Sequence, residues 1–344
     1  MKKLFNTLYV SSQGTYISKE RENIVVNLQN KEMFRGPVHL INSIVCFGNV
    51  TCSPFLLGLC CENNVSVSYF TEYGRFLARV QSPVSGNVLL RKQHYKYSED
   101  GKFCLETSKS ILLGKLNNSR TVINRALRDH SDKISNSGKL VQVSSGLRKT
   151  IDNVLTAENI DVLRGLEGDA ASSYFSVFNE LILNHKKEFF ITERNRRPPK
   201  DRVNCLLSFI YTLLAHDVSS ALEGVGLDPQ VGFFHKDRPG RPSLALDMME
   251  EFRSVIADRL VLTLINLSQI SAEGFSESPS GGVIMTDENK KTVIDVYRKR
   301  KEEEIFHPFL KETIRIGLLY HAQALLFARY IRGDIDAYPP FIWK

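Results

Sequence analysis

VGFFHKDRPGRPSLALDMMEEFRSVIAD, residues 231–258, is the stretch from which the rest of the chain can be read. An aromatic run delivers His235 to a stiff basic turn of Arg238, Pro239, Gly240, Arg241 and Pro242, after which Ser243-Leu244 opens a helical pattern. Proline at 242 cannot continue an upstream helix, and the Ser243 hydroxyl is expected to accept from free amides of the first turn. On a 3.6-residue wheel Leu246, Met249, Phe252, Ile256 and Leu260 form an apolar stripe. Asp247, Glu251 and Asp258 fall opposite it and Glu250 at its border. A carboxylate at the edge of a buried face, with a second three residues earlier and a histidine returned by a turn, suits Mg2+ or Mn2+, which favour oxygen ligands with one imidazole. The plainer alternative pairs Glu250 with Arg253 one turn on and leaves His235 as a satisfied loop histidine.

Working upstream, RNRRPPKDR (194–202) is a basic loop stiffened by two prolines, able to hold Arg196, Arg197 and Arg202 against phosphates at little entropic cost. Asp201 then caps the apolar helix VNCLLSFIYTLLAH (203–216), a core element in which His216 is structural. In VLRGLEGDAASSYFSVFNELI (162–182), Leu163, Leu166, Ala170, Tyr174, Val177 and Leu181 mark a buried stripe. Glu167 lies beside it between Gly165 and Gly168. Two helical glycines cost about 1 kcal/mol each relative to alanine, so a metal, a phosphate or a crossing helix is expected to need the close approach they allow. Before this, residues 103–117, 119–131 and 140–155 read as helices, with Arg120, Arg125 and Arg128 as surface charges.

The first part of the chain has a different period. LFNTLYV, TYISKE, NIVVNLQ and HLINSIVCF are β-branched and aromatic runs separated by polar turns, expected to form short hairpins. Ser53-Pro54 supplies an N-cap and a first-turn proline for a helix to about Cys61, after which strands resume. The Gly-Ser-Pro cluster after Ser82 frames a change to helical periodicity. The expected organisation is therefore α+β: a β-rich amino-terminal domain at 1–92 and a mainly α-helical domain at 93–344.

The 344 residues suffice for two domains, and 42% hydrophobic content is that of a globular chain with a core. A net charge of +7 favours an anionic partner, nucleic acid first and anionic membrane second. The start of the chain lacks the apolar core of a signal peptide. The longest stretch free of Asp, Glu, Lys and Arg, 36–61, turns at Gly48-Asn49, so it reads as strand and helix, with no membrane span. A cytoplasmic location is expected. Six cysteines without a C-x-x-C pair suggest buried thiols. Toward the end, Ser276 to Gly282 reads as a flexible loop, and Asp287 as the cap of a helix whose Lys290, Lys291, Arg298, Lys299, Arg300 and Lys301 form a solvated face or a DNA flank. A further helix runs from about Leu310 to Tyr330. The segment from Tyr338 to Trp343 docks on the body or packs at an interface with a partner.

RGLEG (164–168), RRPPKDRVN (196–204), GFFHKDRPGRPSLALDMMEEFR (232–253) and RYIRGDIDAYPPFIWK (329–344) together resemble the CRISPR-associated spacer-integrating endonuclease, the "Cas-one" adaptation family, and look like its type I-C version. The resemblance covers essentially the whole chain. It implies a divalent metal, Mg2+ or Mn2+, on Glu167, His235 and Glu250, with Asp247 supporting the site or sharing its metal. It also implies that a DNA fragment's 3′-hydroxyl attacks a repeat-strand phosphodiester with no covalent enzyme intermediate. Arg238 and Arg241, with Arg196, Arg197 and Arg202, become candidate DNA-backbone contacts. His235 would have to be neutral to ligate, so activity should fall in acid. The resemblance further implies a homodimer through the amino-terminal domain, and a complex in which two such dimers flank a dimer of the small companion adaptation protein. The rival readings are a non-enzymatic DNA-binding scaffold, with the three residues as a buried polar cluster, and a metal nuclease that cuts DNA without joining it.

Overall fold

The computed structural model describes residues 6–63, 65–72, 76–80, 88–195, 198–279 and 281–343, and the chain divides into two compact units, Met1–Gly86 and Asn87–Lys344. The first unit contains β1 (Asn6–Val10), β2 (Thr15–Glu20), β3 (Asn23–Leu28), β4 (Lys31–Pro37), β5 (Ile41–Phe47), β6 (Val50–Cys52), α1 (Pro54–Glu62), β7 (Ser66–Phe70) and β8 (Phe76–Val80). They form two four-stranded sheets, ordered β1-β5-β7-β8 and β4-β3-β2-β6. The expected hairpins are present only in part. β2, β3 and β4 pair antiparallel, as do β7 and β8, but β1–β5, β5–β7 and β2–β6 are parallel. Val45 on β5 lies between Tyr9 on β1 and Ser68 on β7. A parallel central strand covered on both faces is apolar without alternation, and Ile44, Val45, Cys46 and Phe47 are all buried. Ser53 caps α1 by accepting from the Leu56 amide, with Pro54 in the first turn, as expected. All six cysteines are free thiols, four of them buried.

The second unit opens with α2 (Val88–Ser98), so a boundary after residue 92 would fall inside a helix whose Leu90 and His94 are buried. There follow α3 (Gly101–His130), α4 (Ser137–Thr156), α5 (Ile160–Ser176), α6 (Phe178–Leu181), α7 (Arg202–Gly224) and α8 (Ser243–Phe252). A π-helical turn, Arg253–Asp258, joins α8 to α9 (Arg259–Asn266). Next come β9 (Phe275–Glu277), β10 (Val283–Met285), α10 (Asp287–Glu302), β11 (Glu304–His307), β12 (Glu312–Arg315) and α11 (Ile316–Ile331). The second unit is thus mainly helical, with two small hairpins, β9–β10 and β11–β12. The segment expected as a flexible loop after Ser276 belongs to the first of these, with Ser276 opposite Ile284. Asp201 caps α7 through the Asn204 amide. This helix is long and apolar enough to cross a membrane, but 67% of its apolar window is buried inside the unit, as befits a core helix.

Several local expectations give way to tertiary contacts. No break interrupts α3 near residue 118, because the Asn118 side chain is buried and fully used there. It donates to the Glu251 carbonyl at 2.6 Å and the Phe341 carbonyl at 2.8 Å, and accepts from the Trp343 amide at 2.8 Å. Ser243 is the first residue of α8 and donates to the Lys236 carbonyl instead of capping. Thr286, one residue before Asp287, caps α10. On α10 the basic face is not uniformly solvated: Lys301 is buried with its ammonium 2.9 Å from Asp217, which also accepts from Tyr297 at 2.8 Å. Arg125 and Arg259 both lie over the Trp343 indole, 3.8 and 4.3 Å from its centroid.

The segment from Tyr338 to Trp343 packs on its own unit. Glu251 accepts from the Tyr338 hydroxyl at 2.7 Å, the Phe341 amide at 2.6 Å and the Gln323 carboxamide. Gly114 on α3 permits this: a Cβ there would meet Pro340 Cβ at 2.9 Å and Glu251 Cβ at 3.1 Å. Burial pushes the Glu251 carboxyl up to about 7, against the hydrogen bonds from Tyr338, Phe341 and Gln323. A carboxyl whose pKa is higher folded than unfolded binds its proton longer in the folded chain, so stability is full below its ordinary value of 4.5 and declines as pH rises toward 7. Asp258, pushed by burial to about 6, acts in the same direction. Urea unfolding should therefore show wild type losing stability between pH 5 and 8, by at most about 3 kcal/mol from Glu251. Glu251→Gln should reduce that slope, and an unchanged slope would refute the assignment.

Candidate metal centre

Residues 231–235 run past the start of α8, and the Asp247 side chain gathers them. Its Oδ2 accepts from the Phe233 amide at 2.7 Å and the Phe234 amide at 3.0 Å. Its Oδ1 accepts from the His235 amide at 2.9 Å and from His235 Nδ1 at 2.6 Å. Gly232 makes the approach possible, since a Cβ there would sit 2.8 Å from Ser243 Cβ and 2.9 Å from Asp247 Oδ2. From the other side, the buried ring of His94 stacks on Phe233 and its Nε2 lies 2.9 Å from the Val231 carbonyl. With a carboxylate facing Nδ1, the proton belongs on that nitrogen, and Nε2 keeps its lone pair at the partly exposed edge of the ring. Both Asp247 oxygens are engaged by the chain itself, so the residue works as a scaffold for His235.

One turn on, Glu250 is almost wholly buried between two cations. Arg253 Nη1 lies 2.9 Å from Oε1, the plainer pairing foreseen in the sequence, and Lys115 Nζ lies 2.9 Å from Oε2. Burial alone would raise this carboxyl, but the charges of Arg253 and Lys115 beside it outweigh burial and hold the pKa at about 2. Glu250 is therefore ionised at neutral pH. Its Oε2 has no aligned hydrogen-bond donor despite burial, and Ser254 Oγ nearby is likewise unpaired. Both residues line a cavity of about 40 Å³ that also reaches Lys115, Glu167 and Asp258. A buried, ionised oxygen facing a small cavity is the kind of atom a cation or ordered water completes.

Glu167 enters from α5 and makes an ion pair with the same Lys115 ammonium. Arg164, one turn earlier, donates to the Phe234 carbonyl at 2.9 Å and so ties α5 to the segment that carries His235. Gly165 and Gly168 are exposed, and a Cβ on either would meet nothing within 4 Å. Among the described residues no crossing helix uses the space at either glycine. The structure thus brings Glu167 and Glu250 to one ammonium, and His235 to Asp247. Among the described residues no three His, Cys, Asp or Glu side chains converge closely enough to enclose an ion by themselves. The donor chemistry, two carboxylates with one imidazole nitrogen, fits Mg2+ or Mn2+.

Lys115 and Arg164 do not stand out from spacing alone. Lys115 still leaves a signal: it interrupts the buried run Ile111, Leu112, Leu116, Val122 and Ile123 on α3, where an unpaired charge would be costly. Arg238 is exposed on the turn after His235, and Arg241 is half-buried. Arg202 donates to the Glu188 carbonyl at 3.0 Å, while Arg196 and Arg197 lie outside the described residues.

The family described as "CRISPR associated protein Cas1" matches residues 8–299. A CRISPR-associated endonuclease Cas1 of Chlorobaculum tepidum is 52% identical over 344 residues, covering 100% of both chains. Among solved structures, a casposase bound to integration product superposes with a TM-score of 0.84 at 18% identity, over 99% of this chain and 95% of that one. A chain of a Cas6-RT-Cas1–Cas2 complex superposes with a TM-score of 0.82 at 22% identity, over 99% of this chain and 36% of that one. At those identities the structural likeness speaks to the fold.

The Asp247 scaffold carries its own expected outcome. Asp247→Asn turns an amide nitrogen toward buried N–H donors, and is expected to cost about 2–4 kcal/mol in chemical denaturation, the scale of two unpaired buried amides. A loss below about 1 kcal/mol would mean that the amides of residues 233–235 find other partners.

Proposed function

The chain belongs to the Cas1 family of CRISPR-associated proteins, and from that premise we propose that it is a DNA integrase and endonuclease of CRISPR adaptation that works with Mg2+ or Mn2+ held by Glu167, His235 and Glu250. The observation that supports this assignment is the Asp247–His235 pair, which occupies Nδ1 and leaves Nε2 to act as a ligand, with the ionised, buried Glu250 one turn beyond Asp247 on the same helix. The bound ion supplies Lewis-acid neutralisation of a phosphate oxygen.

The side chains supply the rest. Asp247 keeps His235 in the tautomer that leaves Nε2 unprotonated, and Arg164 holds α5 against the His235 segment so that Glu167 stays in reach. A DNA 3′-hydroxyl forms the new oxygen–phosphorus bond in line with the bond that breaks. The departing strand keeps its bridging oxygen as a hydroxyl, and no bond to the protein forms. Lys115 and Arg253 add positive charge beside the reacting phosphate. Arg196, Arg197, Arg202, Arg238 and Arg241 are assigned to backbone phosphates, giving salt-dependent affinity with little base preference. Water in place of the 3′-hydroxyl gives hydrolysis at the same centre.

We assign dimerisation to the β-rich amino-terminal part, expected at 1–92, and catalysis to the helical part, expected at 93–344. Phe55, Met33 and Tyr16 are large apolar side chains exposed on the first unit, as a homodimer contact requires. The small companion protein, of the kind named in the Cas1–Cas2 complex, is the expected second partner. Action on the CRISPR array assigns the protein to the cytoplasm.

Strand transfer of a duplex with free 3′-hydroxyls into supercoiled repeat DNA tests this, with the companion protein and Mn2+ or Mg2+. Glu167→Ala and His235→Ala should each lower joined product at least about 100-fold, while DNA affinity measured with chelator and no divalent metal stays within about threefold, since their side chains are not the phosphate contacts. Cut but unjoined DNA from wild type would favour a hydrolytic nuclease. Equal products from wild type and variants would remove these residues from the mechanism. Salt-dependent binding without either product would leave a scaffold.

A further inference from the structure

The electrostatics around the proposed ligands hold something the assignment of Glu167, His235 and Glu250 does not use. Glu167 and Glu250 carry two negative charges, and Lys115 and Arg253 return two positive ones within ion-pair distance. The carboxylates are therefore neutralised before any metal arrives. The two cations are not alike. The Arg253 guanidinium is held by Glu250 on one side and lies 5.1 Å from the Tyr211 ring centroid on the other, inside the unit. Lys115 ends a flexible four-carbon stem, and its ammonium bridges a buried carboxylate and a partly exposed one at the rim of the site. A divalent cation entering between Glu167 and Glu250 meets the Lys115 ammonium in its place.

Resting on the integrase reading above, we propose that Lys115 is an exchangeable counter-ion that couples metal loading to DNA binding. Without DNA its ammonium bridges Glu167 and Glu250 and opposes a divalent cation. When a DNA phosphate docks, Lys115 leaves the carboxylates for a non-bridging phosphate oxygen, and Glu167 and Glu250 become available to the metal. The incoming phosphate supplies the negative charge that the site otherwise lacks for holding a dication and two basic side chains together. By linkage the effect is reciprocal: DNA tightens the metal and the metal tightens DNA by the same factor. Lys115 acts here as a positioning residue, and it keeps the centre weakly loaded until a substrate is in place.

The test is a Mn2+ titration followed by the electron paramagnetic resonance signal of free Mn2+. It is run with and without a short duplex ending in dideoxynucleotides, which cannot be joined, and Mn2+ bound by the duplex alone is subtracted. Wild type should bind Mn2+ about tenfold or more tightly with DNA than without. Lys115→Met should bind Mn2+ about tenfold more tightly than wild type in the absence of DNA, and the DNA effect should shrink to about threefold or less. Lys115→Arg, which keeps the charge, should retain a DNA effect closer to that of wild type. Equal Mn2+ affinity of wild type with and without DNA would overturn the proposal without recourse to any variant. So would a Lys115→Met protein with an unaltered DNA effect. His235→Ala separates this from failure of the underlying reading: if it binds Mn2+ as wild type does, the metal site itself is misassigned. If it loses Mn2+ while Lys115→Met changes nothing, only the coupling role fails.

Discussion

A carboxylate buried at the start of α8 accepts three consecutive backbone amides and one imidazole nitrogen, and the geometry of the second unit around the candidate centre follows from that cluster. Removing an ionised group from water is costly unless donors replace the lost hydration, and Asp247 has four within 3.0 Å. The compensation works in both directions. The amides of Phe233, Phe234 and His235 would otherwise be orphaned in a loop with no strand or helix to receive them. One side chain thus settles the path of residues 233–235, the tautomer of His235 and the position of the loop on α8.

The same helix explains why an amphipathic reading fails here. A surface helix has one apolar stripe and one wet face, but α8 and the turn after it are buried on nearly all sides, and their acids are shared among neighbours. Asp247 serves the loop before the helix, Glu250 the cations Lys115 and Arg253, Glu251 the segment at 338–341, and Asp258 the Tyr211 hydroxyl. Leu246, assigned to the apolar stripe, is only half-buried, while Asp247, Glu251 and Asp258 are fully buried. The π-helical turn at 253–258 moves the register partway along, so no single wheel fits the whole run.

Features set by neighbouring residues were legible in the sequence. The caps at Ser53 and Asp201, the change from β to helical periodicity, and the Glu250–Arg253 pairing depend on spacings of a few residues. Features set by distant parts of the chain were not. The parallel pairing of β1 with β5 spans the intervening β2–β4 sheet, and nothing local to either strand encodes it. Asn118 reads as a helix breaker until the carbonyls of Glu251 and Phe341 are brought to it. Lys301 reads as a surface charge until Asp217 on α7 is placed against it. Lys115 stands between these cases. A lysine on an apolar stripe implies an acidic partner, but only the packing of α5 and α8 against α3 decides that the partners are Glu167 and Glu250.

Glu251 adds a constraint on when the second unit can mature. Its three donors come from α11 and from the segment after it, and the contact with Phe341 spans 90 residues of sequence. The Asn118 contact with Trp343 spans 225. During translation α3 and α8 therefore leave the ribosome long before the groups that satisfy them. Until residues 338–343 emerge, Glu251 lacks two of its three donors and Asn118 two of its three partners. Glu250 is the next residue along that backbone, so a chain interrupted before Tyr338 would carry every proposed ligand and still lack the means to set one of them. The order of synthesis thereby delays assembly of the candidate centre until nearly all of this sequence has been made.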